Sequence, residues 1–205
     1  MSNVADDIDL LKHTRSPKRR SAAKRLRKRG DTSAGKALLS ALRKEIEDLR
    51  TWETQYQLIM AIGECEYVEA LPFLKDFADQ PLEATMIYVG LGDALVRLQI
   101  QSLNDGEPII ELMESGNEML IDGAFRAMAM LRMVPSAVHV QKIIRFVSAL
   151  PLDHGNRFWP LAAAPGWQGD EVDTYVAECL RSDRNDLREA AELAANRKYK
   201  KWNPL

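Results

Sequence analysis

Few of the residues that make reactive or cross-linked sites occur in this chain. There are two cysteines in 205 residues, Cys65 and Cys179, 114 positions apart. Both read as reduced thiols, and the repeat described below sets them at least two units apart, beyond the reach of a disulfide. Histidine is limited to His13, His139 and His154. A leading tail, a helix and a loop cannot bring these three to one metal ion, and no His-Glu dipeptide is present. Neither cysteine has a neighbouring histidine to activate it as a nucleophile. No apolar run approaches the ~18 residues of a membrane span. The opening residues are acidic, without the cationic start and apolar core of a signal peptide, so the expectation is a cytoplasmic protein. Residues 1–50 contain no Phe, Trp or Tyr, which removes the stacking platforms that accompany basic residues in single-strand binders.

What is present is charge of both signs, kept apart. The net charge is −2, but residues 11–50 carry 14 basic against 4 acidic side chains, and residues 51–180 carry 7 against 19. Such separation makes a field with two poles, which steers charged partners although the total is near neutral.

The chain is organised around residues 51–79, TWETQYQLIMAIGECEYVEALPFLKDFAD. Tyr56, Ile59 and Ile62 recur at helical spacing, residues 63–67 break the pattern, and Leu71, Leu74 and Phe77 resume it. That predicts two short helices packed through their apolar stripes, a hairpin too small to bury both faces without stacked neighbours. The neighbours are in the sequence. Ile62 is matched by Leu26, Leu98 and Leu131; Ile59 by Ala23, Leu95, Met128 and Leu161; Leu74 by Leu38, Ile110 and Ile143; and Phe77 by Ala41, Met113 and Phe146. Another step reaches Val176 and Cys179. Four columns in one register predict an all-α chain of stacked hairpins. Residues 1–15 read as a tail or capping turn, and 16–205 as a single repeat domain.

The wording of two segments resembles the HEAT-like repeats of bacteria, of the kind also found in phycobilisome lyases. One runs from Leu180 through Asp183, Asp186, Leu187, Arg188, Ala190 and Ala191 to Leu193; the other from Ser16 through Pro17, Arg20, Ala22 and Ala23 to Leu26. The resemblance spans residues 16–198 and thins in the middle, where Tyr56, Gly92 and Phe125 stand in place of the family arginine. It implies a right-handed α-α superhelix, a HEAT-like solenoid of about five hairpins, whose second helices line the concave side. Iron hydroxylases of that family depend on His-Glu pairs, which are missing here. DNA glycosylases with HEAT-like repeats need a cationic channel, which the acidic middle would oppose.

Two motifs imitate phosphate sites. Gly30, Gly35 and Lys36 copy a phosphate-binding loop, but Ala37 replaces the hydroxyl that would hold magnesium, and a cationic helix replaces the preceding strand. Gly90 and Gly92 lack a third glycine, because Leu95 stands there; small residues at those places let helices approach closely. Ser16 and Pro17 read as a capping hydroxyl and a first-turn proline. Beyond them Lys18, Arg19, Lys24, Arg25, Arg27, Lys28 and Arg29 surround one helix, either as a solvated face or as a phosphate contact. The second helices expose Asp76, Asp79, Glu107, Glu111 and Glu114. Residues 150–170 are interrupted by Pro151, Pro160 and Pro165, which shortens the helix there; Phe158 aligns with Phe125 in the core, and of Trp159 and Trp167 one is expected in the core and one at an interface.

These readings lead to a non-catalytic module, with no metal, cofactor or membrane, that binds a basic protein through its acidic face. A bacterial immunity protein masking a cationic toxin is one concrete form. The alternative is nucleic-acid binding through the basic helix at residues 18–29.

Overall fold

Pro17, Pro72 and Pro108 each stand in the first turn of a helix, where a missing N–H leaves no intrahelical bond unmade. A computed structural model of the protein describes residues 3–201, and among those residues it contains twelve α-helices and no strand. No helix among them is long and apolar enough to cross a membrane. The helices fall into two compact units, Met1–Gln99 and Ile100–Leu205.

The first unit holds α1 (Val4–Leu10), α2 (Ser16–Arg29), α3 (Gly35–Glu45), α4 (Trp52–Glu64), α5 (Leu71–Ala78) and α6 (Met86–Gln99). Helix α4 is its centre, packed against α2, α3 and α6. Its sequence explains the position, because Leu58, Ile59, Met60, Ala61 and Ile62 are all fully buried, a run apolar on every side and not on one stripe. The hairpin expected over residues 51–79 is formed differently. Helix α5 makes its main backbone contacts with α6, as α3 does with α4, so each second helix leans chiefly on the helix that follows it. The stripes themselves are buried at Ile59, Ile62, Leu74 and Phe77.

The first fifteen residues do more than cap. Asn3 and Asp6 form a reciprocal capping box that starts α1, and α1 packs on α2. Ser16 is not the cap of α2. Arg15 occupies that position without a side-chain bond, and the Ser16 hydroxyl instead donates to Glu45 Oε1 at 2.5 Å.

The second unit holds α7 (Glu107–Glu114), α8 (Glu118–Met130), α9 (Ala137–Ser148), α10 (Phe158–Ala163), α11 (Asp170–Cys179) and α12 (Asn185–Ala195). Helix α10 packs between α8 and α12, while α9 is in contact with α7 and α11. The prolines limit α10 to six residues between two 3-10 turns, Gly155–Arg157 and Ala164–Gly166. Ala23, Ile59, Leu95, Met128 and Leu161, one aligned column of the sequence, are all at most 2% exposed. The column through Leu131 is looser, since that residue is half-buried and lies just past the end of α8. Met113 and Phe146 are half-buried as well.

Candidate protein-binding surfaces

The seven basic residues around α2 divide into two groups. Arg25 Nε lies 2.7 Å and Arg29 Nη1 3.1 Å from the carboxylate of Asp7, a fully buried residue of α1. Arg19 grips Glu45, 3% exposed, through Nε at 2.5 Å and Nη2 at 2.9 Å, and its Nη1 donates to the carbonyls of His13 and Thr14. Arg27 approaches Glu64 at 3.8 Å, and Glu64 also meets Arg97, itself bonded to the buried Asp93 at 2.6 Å. Arg20 pairs with Glu53. The arginines thus tie α2 to α1, α3 and α4, a role in which removing either partner leaves a desolvated charge behind. Of the seven, Lys18, Lys24 and Lys28 are exposed and have no ion pair among the described residues.

The glycines of the phosphate-loop lookalike have structural reasons. Gly30 closes α2 at φ 62°, the left-handed conformation favoured after a helix. A Cβ on Gly35 would fall 2.2 Å from Cγ of Tyr67, so only glycine lets α3 start beneath that ring.

The acidic residues lie as follows. Asp76 is in α5, Asp79 is its carboxyl-terminal cap, and both are exposed without an ion pair among the described residues. In the second unit, Glu107, Glu111 and Glu114 follow one another at four and three residues along α7 and are all exposed, the spacing of one helical face. Glu107 is engaged, 3.1 Å from His139 Nε2, while Glu111 and Glu114 have no ion pair among the described residues.

The tryptophans are also settled. Trp167 is 1% exposed and its indole N–H donates to the Met133 carbonyl at 3.0 Å. It is a core residue and cannot anchor a partner, which corrects its place among the binding residues. Trp159 is half-buried, edge-on to Phe158 at 5.0 Å and 5.9 Å from the Arg126 guanidinium. Phe158 is itself half-buried, with Lys200 over its ring, and so is not the core residue its alignment with Phe125 predicts.

Beside Trp159 stands Asp122. Burial pushes its carboxyl up to about 6, against the opposing pull of Arg126, the Trp159 indole and His154. Its folded value lies above its unfolded one, so the folded state holds the extra proton and stability declines as pH rises from about 4 to about 6. Asp122→Asn should therefore raise stability at neutral pH by roughly 1–2 kcal/mol, and by little below pH 4, as followed by urea denaturation at both pH values. Burial likewise pushes the Cys65 thiol up to about 11 and Cys179 upward; neither is poised to react. No group of three or more His, Cys, Asp or Glu suited to a metal ion occurs among the described residues.

Sequence patterning does not single out one further feature. In the first unit, Ile46, Leu49, Trp52, Phe77, Leu82 and Ile87 line an open groove of about 200 Å³. Leu49 is 58% and Trp52 37% exposed. The available signal is that both are large apolar residues lying between the repeat columns and belonging to neither. No protein-family model matches the chain, and a comparison with curated proteins likewise gives no match.

Proposed function

We propose that the protein is a non-catalytic interaction module, a HEAT-like right-handed solenoid of about five helical hairpins, that binds a basic partner protein through the acidic faces of its second helices. The observation that carries this reading is the contrast between the charges. Arg19, Arg25 and Arg29 of the basic helix are engaged by buried carboxylates, while Asp76, Asp79, Glu111 and Glu114 are exposed and have no ion pair among the described residues. Unrelieved like charge costs a little folding stability, which a cationic partner would return on binding. The succession of packed helices within each unit, α2 on α4 on α6 and α8 on α10 on α12, supports the solenoid. A cytoplasmic immunity protein that masks a cationic toxin domain is one form such a module takes.

Nucleic-acid binding through residues 18–29 is left with three exposed lysines, a small footprint for an interaction that depends on phosphate neutralisation. The test is capture of the native partner from host extract at low salt, with Asp76→Lys combined with Glu111→Lys, one change in each unit. The variant should associate more slowly, by about tenfold, and with a flatter salt dependence, while helix content is unchanged. Salt-sensitive retention of DNA or RNA by the wild type, abolished by Lys18→Glu, Lys24→Glu and Lys28→Glu together, would overturn the proposal.

A further inference from the structure

The groove of the first unit is poorly suited to a small metabolite. Its volume of about 200 Å³ falls below the roughly 300–1,000 Å³ of drug-sized ligand pockets, and matches a large apolar side chain better. The floor is apolar and the margin is not. Leu49 stands in the turn between α3 and α4 and Trp52 is the first residue of α4, while Met86, 40% exposed, precedes Ile87 of the groove wall in sequence. Among the described residues, two of the eight exposed large apolar side chains, Leu49 and Trp52, line this groove together, whereas single exposed apolar residues are the ordinary case.

The segments that form it, residues 46–53 and 76–87, carry six acidic side chains and one basic one. The single base, Arg50, is paired with Asp48 at 2.9 Å, and Glu53 is paired with Arg20. Glu47, Asp76, Asp79 and Glu83 are exposed and make no ion pair among the described residues. Glu83 itself lines the groove, so the apolar slot and a carboxylate meet there, and Asp76 and Asp79 belong to the short helix that supplies Phe77 to the wall.

From these observations we infer that the groove is the docking site of a cationic amphipathic helix of the partner protein. Large apolar side chains of that helix enter between Leu49, Trp52, Phe77, Leu82 and Ile87, and its lysines and arginines meet Glu47, Asp76, Asp79 and Glu83. The described residues include no strand, so an extended peptide has no sheet edge to join, and a helix laid in a groove is the mode left to a chain with alternating anchors. The inference rests on the proposed function and locates the contact.

The probe is a synthetic amphipathic helix with leucines on one face and lysines on the other. Its controls are a scrambled peptide of identical composition and a lysine-containing proline-rich peptide. Titrated into the full chain by calorimetry, the helix should bind at least about tenfold more tightly than either control. Leu49→Ser with Trp52→Ser should abolish that preference while helix content is retained, and the lost apolar burial should lower the unfolding midpoint only modestly. Asp76→Lys with Asp79→Lys should weaken binding and flatten its salt dependence. A photoreactive leucine analogue on the peptide's apolar face should label residues 49–52 and 77–87 of the unaltered chain, a reading independent of any variant. Equal binding of helix and scrambled peptide, with labelling elsewhere and loss only in the charge-reversed variant, would overturn the groove and leave the acidic-face function standing. Tighter binding of the proline-rich peptide would overturn the helical partner. Self-association through Leu49 and Trp52 would assign the groove to a second copy. Failure of the helix to bind at millimolar concentration, with charge reversal without effect on the native partner, would remove both the groove and the function.

Discussion

Arg157→Ala should lower the stability of the protein by roughly 3–5 kcal/mol, the cost of removing one member of a buried charged network. Arg157 is 1% exposed. Its Nε and Nη2 donate to the Leu150 carbonyl at 3.2 and 2.6 Å, Nη2 also donates to the Ser148 carbonyl at 3.0 Å, and Nη1 lies 3.3 Å from Glu178. The two carbonyls are at the end of α9, where the last turn of a helix has no intrahelical donors, so one guanidinium closes α9 and ties it to α11. The Tyr175 hydroxyl donates to the Arg157 carbonyl at 2.5 Å, which holds the turn that carries the side chain. Alanine would leave these acceptors short of donors in a site closed to water. With an m-value of about 2 kcal/mol/M, the urea midpoint should fall by roughly 1.5–2.5 M. Arg157→Lys should recover little, because an ammonium cannot serve in the plane of the fork all the directions that the guanidinium serves. Full recovery by lysine would mean that charge alone matters there.

Arg157 also shows where sequence stops being informative. In the one-dimensional pattern it is a polar residue in a proline-rich, glycine-rich stretch, and nothing local distinguishes it from a solvated arginine. The apolar columns were legible because burial at Ala23, Ile59, Leu95, Met128 and Leu161 follows from helical period, a local property. The leaning of α5 on α6 was not, since the same two stripes serve either neighbour. Asp7 and Glu45 are closed off by arginines 18 and 26 residues away. That pairing turned a basic patch, open in sequence to a phosphate reading, into a set of internal clamps. Trp159 and Trp167 could not be told apart for a similar reason: the difference is whether the Met133 carbonyl is within reach of the indole. On the binding side, the acidic residues of α5 and α7 were found at the surface as their helical positions predicted. The apolar groove lined by Leu49, Phe77 and Glu83 depended on the turn between α3 and α4, whose path no periodicity describes.

The second large effect concerns Glu45, and it reports on the basic helix directly. Burial pushes this carboxyl up, but hydrogen bonds from Arg19 and Ser16 outweigh that and hold it below the ordinary glutamate range. Glu45→Ala should cost about 3 kcal/mol, because Arg19 would keep its bonds to two carbonyls but lose the carboxylate that neutralises it. Glu45→Gln keeps the shape and one acceptor, and should cost about half as much. The sign of the pH dependence follows from the lowered value. Unfolded chains bind the proton near pH 4.5 and the folded chain only at lower pH, so the stabilisation is complete above about pH 5 and is lost as pH falls through the folded value. Denaturation curves for the wild type and Glu45→Gln should be well separated at neutral pH and converge as pH falls below the unfolded value of 4.5 and through the folded one. Parallel curves across that range would mean that Glu45 is not held as an anion. Arg19 would then be free to face solvent, and α2 would regain the cationic surface that a phosphate backbone requires. Convergence would mean that this arginine's charge is committed inside the first unit, and that a search for partners belongs with the exposed carboxylates of α5 and α7.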